Sequence, residues 1–473
     1  MKKLLSLILA TVLVLSVFAF TGCRKEMPNF VMPEGGYDGS PVTITFYHTM
    51  GQGLQAVLNS AIEYFNTLYP NITVKHQAIG GYDDVRDQIS TELTAQNQPN
   101  IAYCYADHVA LYNVAGAVVT MDQFINNTQE ITRADGTTEI MGLTQAQIDD
   151  FVDGYWNEGK SFGDGQMYML PLSKSTELLF YNKTFFEENK LTVPTTWEEM
   201  ESVCRQIKAL DPNCIPLGYD SEANWFITMC QQQGSPYTAL EGDHFLFDDE
   251  RNIDFVKKFR NWYKEGLVTT QEIYGSYTSG LFTASGENEV KSYMSIGSSG
   301  GTVHQAPSKD GDGKDPFEVG IASIPQVNPD RPYAISQGPS LCILQSENPQ
   351  EVIASWLFVK FLTTDLAFQA DFSMASGYVP VLESVKADPF YEQFLAKASD
   401  PDNDNIAARG ASVCLAQKDA YFTSPAFNGS TVAREQVGAL LQACMVGSWS
   451  DAEVDAKIRE AFANAITECE YRS

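Results

Sequence analysis

The run Gly297-Ser298-Ser299-Gly300-Gly301 is where residue type and spacing first suggest chemistry. It fits the G-x-S-x-G pattern, in which a serine on a tight strand-to-helix turn acts as a nucleophile, with an acid and then a histidine further along the chain. The sequence has 5 histidines, and only His304 follows Ser299; at 304 − 299 = 5 residues it is too close for that order. A glycine-rich turn opening a helix also exposes backbone N–H groups that suit a phosphate or hydroxyl oxygen. On this reading Ser299 and Gly300 are the contacts. Asp107 follows the apolar segment Ile101 to Tyr105, at the carboxyl end of an expected strand, where α/β sheets place ligand groups. A carboxylate there can accept two hydroxyl hydrogen bonds, or it can simply cap a helix. Tyr82 stands at a tip before a helix, and Gly338 allows a backbone to approach a ligand closely. Aromatic faces with carboxylate and amide partners suit a polyhydroxylated ligand. Paired carboxylates could instead cleave a glycosidic bond. No pair stands out by spacing, so a secreted glycoside hydrolase stays as the competing reading.

Metal and redox chemistry find little support. Asp310 and Asp312 have the first spacing of a calcium loop, but its twelfth position is Ile321, where a bidentate glutamate is required. The 9 cysteines form no CxxC or zinc-like spacing. Cys104 and Cys342 read as small core residues, and Cys204 and Cys214 could pair. No cofactor is implied.

The elements that must position these residues alternate. Val42, Ile44 and Phe46 alternate with Thr43, Thr45 and Tyr47 as a strand. Leu54, Val57, Leu58, Ala61, Ile62, Phe65 and Leu68 share one helical face, which Pro70 ends. A second strand begins at Ile72 and a second helix spans Asp83 to Ala95. Met167 to Tyr181 is extended and broken at Pro171. Thr195-Thr196-Trp197-Glu198-Glu199 opens a helix with a capping box. Phe317 to Pro325 and Ala334 to Leu344 read as strands, and the chain from Pro380 is mostly helical. Alternating strands and helices imply an α/β fold.

Of 473 residues, 44% are hydrophobic and 19% charged, an ordinary globular composition. The net charge of −29 repels phosphate backbones, so nucleic acid is not an expected partner. Lys2, Lys3 and the apolar run Leu4 to Phe20 read as a secretory leader. Phe20-Thr21-Gly22-Cys23 resembles a bacterial lipobox, departing from it at Phe20, where leucine is usual. The resemblance implies acylation of Cys23 and a chain held at the outer membrane face by lipid.

Several segments together resemble the extracellular solute-binding family (family 1) of ABC sugar importers. They are Ile44-Thr45-Phe46-Tyr47-His48, Gly81-Tyr82-Asp83-Asp84, Leu170-Pro171 leading to Ser175 through Lys183, Pro194 through Glu199, Ser295 through Gly301, Ser336 through Ser340, and Ser376-Gly377-Tyr378-Val379-Pro380. The later motifs look most like the glycerol-3-phosphate-binding branch. The resemblance implies a type II periplasmic-binding-protein-like fold of two α/β lobes joined by hinge crossings near Pro171, Pro316 and Gly377. It places residues 1–22 in the signal peptide, 23–40 in a tether, 41–172 with 317–377 in one lobe, and 173–316 with 378–473 in the other. It also implies ligand contacts at Ser175, Glu177 (or hinge support), the Trp225 platform, Tyr378, and Arg434, whose guanidinium would meet a phosphate. A monomer is expected to deliver a sugar or polyol phosphate to permease subunits, without catalysis.

Overall fold

The computed structural model describes residues 29–286, 289–399 and 405–473. The leader and Cys23 lie outside the described residues. The chain first lays down β1 (Val42–His48), β2 (Ile72–Ala78), β3 (Ile101–Cys104) and β4 (Leu170–Pro171). It then crosses over and builds β5 (Glu177–Asn182), β6 (Leu217–Tyr219), β7 (Val268–Thr270), β8 (Met294–Ser298) and β9 (Val319–Ser323). It returns to contribute β10 (Ser340–Ile343). The first sheet has the order β2-β1-β3-β10-β4, and the second β9-β5-β8-β6-β7. The structure is therefore α/β with two lobes, one five-stranded sheet in each.

The expected alternation in β1 is real: Val42, Ile44, Phe46 and His48 are buried and the residues between them are not. The strand pairs in parallel with β2 from Val42↔Ile72 to His48↔Ala78. Helices cover both faces of this sheet. Helix α1 (Gln52–Leu68) buries Leu58, Ala61, Ile62, Phe65 and Leu68. The opposite face receives α2 (Tyr82–Ala95) through Val85 and Ile89, and α3 (Ala106–Val114) through Val109. In the second lobe, α4 (Trp197–Leu210) starts at Thr196, whose hydroxyl accepts the Glu199 N–H at 3.2 Å while Glu199 accepts the Thr196 N–H at 3.2 Å. That is the capping box expected from sequence. Helices α5 (Glu222–Gln233) and α6 (Glu250–Lys264) pack with α4 around Trp197, Trp225, Phe259 and Trp262. Helix α7 (Pro349–Thr364) lies inside the first lobe, followed by α8 (Leu366–Ser376). Helix α9 (Ile406–Ala416) leads on to α10 (Ser430–Val446) and α11 (Val454–Arg472), which complete the second lobe.

Three segments meet between the lobes, and they are stitched to one another. Ser175 and Gln337 exchange both backbone hydrogen bonds at 2.8 Å. Lys174 and Val379 do the same at 3.0 and 2.7 Å, and the Leu172 N–H donates to Pro339 O at 3.0 Å. The first crossing lies near Pro171 as expected, but the third does not lie near Gly377. The Gly377–Val379 segment pairs with the first crossing and returns to the first lobe, and the chain passes to the second lobe only after α9, where Tyr421 and Phe422 pair with Ala334 and Ile335. The second lies at Ser336–Pro339, not near Pro316. The cause is non-local pairing: Val319–Ser323 runs antiparallel to Asn182–Leu178, which places β9 in the second sheet and not in the first lobe. A buried ion pair braces the ribbon. The Lys174 ammonium binds the Glu158 carboxylate, and also reaches Gly338 O at 3.3 Å and Ser340 Oγ at 3.2 Å.

Two further boundaries shift. Residues 378–396 do not join the second lobe, because Val379, Val381, Leu382, Val385, Tyr391 and Phe394 pack into the core of the first. Leu382 bridges Phe151, and the Val152 N–H donates to Val381 O at 2.9 Å. Helix α9 continues that packing onto β9 and the Ser299–Gln305 turn, so the two cores merge behind the hinge. The described part of the expected tether is docked on the first lobe. Phe30 stacks on Phe124 at 5.0 Å, Gln345 accepts its N–H at 2.9 Å, and Gln350 holds Gly36 and Asp38. Apolar anchors within the Pro/Gly-rich stretch give it something to bury. All eight cysteines of the described residues are free thiols, Cys204 and Cys214 included.

Candidate functional site

The cleft between the lobes has a main chamber of about 830 Å³, lined by Tyr82, Tyr105, Ser175, Glu177, Asp220, Asn224, Tyr277, Gly300, His304, Gln337 and Tyr378, among others. A second chamber of about 440 Å³ adjoins it across Tyr82 and Tyr105, and is lined by Arg86, Asp107, His108, Arg434 and Glu435. A small recess of about 80 Å³ opens behind them, next to Asp107, Glu158, Tyr237 and Arg434.

Tyr82 begins α2, whose first turn is fixed by the Gly81 N–H donating to Asp84 Oδ2 at 2.7 Å. Its ring stacks on Tyr105 at 4.2 Å and 17°, and on Tyr103 at 5.5 Å. Across the cleft, the Tyr82 and Tyr378 hydroxyls stand 3.5 Å apart. The Tyr378 ring lies over Gly300, where a Cβ would come within 3.1 Å of ring carbon Cζ. Glycine at 300 thus admits the tyrosine. Burial pushes the Tyr82, Tyr105 and Tyr378 phenols up, so all three remain neutral donors.

Glu177 opens β5, directly after the first crossing. Its Oε2 accepts from the Tyr219 hydroxyl at 2.5 Å and its Oε1 from Asn224 Nδ2 at 3.1 Å. Burial, only partly offset by these bonds and by Arg434, pushes its carboxyl up to about 7. Asp220 is also raised by burial, and its Oδ1 accepts the Thr278 N–H at 2.7 Å and hydroxyl at 2.8 Å. Asn224 connects the chambers: its Oδ1 accepts from Arg434 Nη2 and from Gln337 Nε2 at 3.2 Å. No carboxylate among the described residues pairs with Arg434. Asp107, in the first turn of α3, accepts the His108 N–H at 3.0 Å. Burial holds the neighbouring His108 imidazole below its usual range, hence neutral. Arg86 of the first lobe reaches Glu435 of the second at 3.3 Å and closes one side of the second chamber.

The structure therefore gathers Tyr82, Ser175, Glu177, Gly300 and Tyr378 around the main chamber, with Asp107 and Arg434 beside it. Three expected contacts lie elsewhere. Trp225 is fully buried between Tyr219 at 4.6 Å and Phe259 at 3.9 Å, in the core of the second lobe. Its helix turns the neighbouring Asn224 to the cleft instead. Ser299 is buried; its Oγ accepts the Thr176 N–H at 3.3 Å and its own N–H donates to Thr176 O at 2.7 Å. Neither its hydroxyl nor its N–H is offered to a ligand, and the Gly300 N–H is held by Ser298 Oγ at 3.2 Å. Gly338, at φ +98°, makes its close approach to the first crossing, since a Cβ would lie 2.7 Å from Ser173 O. Tyr105, Asn224 and Gln337 are among the cleft-lining residues that sequence reasoning did not single out. Tyr105 closes the same apolar run that points to Asp107, and Gln337 lies within the Ser336–Ser340 motif.

Two α/β lobes, chain crossings paired as a ribbon, and a polar cleft between them define a clamp-type binding protein of the periplasmic-binding-protein architecture. The chain belongs to the family of bacterial extracellular solute-binding proteins, whose sequence model matches residues 60–401. It is 23% identical over 354 residues to the sn-glycerol-3-phosphate-binding periplasmic protein UgpB of Salmonella typhimurium, covering 72% of this chain and 74% of that one. Among solved structures it resembles UgpB from Mycobacterium tuberculosis in complex with glycerophosphocholine, at TM-score 0.69 and 18% identity over 90% of this chain and 99% of that one. It also resembles the MalE maltodextrin-binding domain from Bdellovibrio bacteriovorus bound to maltotriose, at TM-score 0.65 and 17% identity over 91% and 99%. Among the described residues, no helix is long and apolar enough to cross a membrane.

Proposed function

We propose that this protein is the solute-capturing lipoprotein of an ATP-driven importer, held at the outer membrane face through Cys23, and that its lobes close on a polyol phosphate of the glycerol-phosphate type. The observation that carries this reading is Arg434, a guanidinium lining the cleft whose partner is a neutral amide. An arginine without a carboxylate suits a phosphate, which its fork can grip with paired hydrogen bonds. The curated relatives named for sn-glycerol 3-phosphate support the same ligand class. Tyr82, Tyr105 and Tyr378 supply ring faces and hydroxyls, and Ser175, Asp220 and Gln337 supply hydroxyl, carboxylate and amide groups for the polyol. The closed monomer would then dock on permease subunits and release its ligand, with no bond made or broken.

A second reading, a neutral oligosaccharide, is favoured by the main chamber itself. Its 830 Å³ exceeds what a glycerol phosphate fills, and the residues lining it include neither lysine nor arginine. Thermal unfolding against sn-glycerol 3-phosphate, its diesters and maltodextrins separates the two. A ligand at about 100 times its Kd adds roughly 2.7 kcal/mol. A shift with phosphates that Arg434→Ala abolishes supports the first reading. A shift with maltodextrins alone, indifferent to Arg434→Ala, replaces it with the second. Turnover of a labelled glycoside would overturn both.

A further inference from the structure

We infer that Asn224 sets the charge preference of the cleft: its carboxamide holds Arg434 in place without discharging it, and keeps the Glu177 carboxylate engaged elsewhere. The proposal rests on the reading of a phosphate-bearing ligand at Arg434. Asn224 is buried, and its hydrogen bonds fix which way the amide faces. Two donors, Arg434 Nη2 and Gln337 Nε2, converge on one terminal atom, which must be the oxygen because a guanidinium accepts nothing. The NH₂ end then points at Glu177 Oε1, an acceptor, 3.1 Å away. The side chain is thus an oriented dipole between a cation and a carboxylate. It occupies one donor of Arg434 and leaves the positive charge uncancelled, and it satisfies one oxygen of Glu177 while Tyr219 satisfies the other.

An aspartate at this position would have almost the same shape and the opposite consequence. It would form a buried ion pair with Arg434 and compete with any anionic ligand for the guanidinium. An alanine would only remove the support. This ordering separates an electrostatic role from a packing role. If Asn224 merely filled space, the isosteric aspartate would be the milder change.

The test is calorimetric titration of sn-glycerol 3-phosphate into the wild type, Asn224→Ala and Asn224→Asp. Circular dichroism and melting temperature confirm folding. Asn224→Ala is expected to weaken binding several-fold, and Asn224→Asp at least tenfold beyond that. If the carboxylate pair at 177 and 224 prevents folding, Glu177→Gln/Asn224→Asp removes the repulsion, and the same loss is expected relative to Glu177→Gln. Aspartate binding as well as alanine, or better, overturns the proposal and leaves the phosphate reading intact. A wild type that ignores glycerol 3-phosphate overturns the phosphate reading and the proposal with it.

Discussion

Glu177→Gln should stabilise this protein, increasingly so as pH rises. The carboxyl is buried and shifted to about 7 from its ordinary 4.5, with desolvation as the main cause. Between those two values the folded chain keeps a proton that the unfolded chain has released. Stability is therefore lost as pH rises through that window, and the full cost is present above about 7. The shift of 7 − 4.5 = 2.5 units corresponds to about 3 kcal/mol at ~1.4 kcal/mol per unit. Glutamine has the same shape and can still accept from Asn224, so it removes the ionisation and little else. The assay is denaturant unfolding of both proteins at several pH values from 4 to 8 (about the window just given). Taking the difference between them cancels every other titrating group. That difference should be small and flat below about pH 4.5, then grow in favour of glutamine by about 3 kcal/mol toward pH 7 and level off. A difference that stays constant with pH would show that Glu177 ionises normally, and would refute the argument from burial.

Other substitutions probe the frame around the cleft. Lys174→Met leaves Glu158 buried and unpaired and should cost about 3–5 kcal/mol in denaturant unfolding, much of it recovered in Lys174→Met/Glu158→Leu. Trp225→Ala should destabilise by about 3–5 kcal/mol as a core cavity, while Trp225→Phe should fold and keep its ligand affinity in calorimetry. Gly338→Ala combines φ +98° with a 2.7 Å contact to Ser173 O, so at least about 1–3 kcal/mol should be lost, read as a lower denaturation midpoint.

Local patterns were legible and non-local partners were not. The alternation in Val42–His48, the apolar face of α1 and the box at Thr196 each depend on neighbours within a few residues, and all appear as expected. Val319–Ser323 reads as a strand in either lobe; only its ladder with Leu178–Asn182 assigns it to the second, and no nearby residue records that choice. Within the site, the aromatic type of Trp225 suggested a platform. On a helix, adjacent residues point about 100° apart, so the group facing the cleft is its neighbour Asn224. Gly338 and Ser299 were expected to meet a ligand, but what they approach is the first crossing, from 165 and 123 positions away in sequence (338 − 173 and 299 − 176).

The docked segment from Phe30 to Gly39 bears on how a lipid anchor at Cys23 would present the molecule. It is bound to the first lobe through Phe124, Gln345 and Gln350. If lipid is attached at Cys23, only 30 − 23 = 7 residues separate the bilayer from that mooring, a reach of at most about 25 Å. A leash this short would make the first lobe the footing and one flank of it the side facing the membrane. Opening and closing would then be the second lobe swinging over a stationary first, and a partner in the membrane would meet the clamp already oriented.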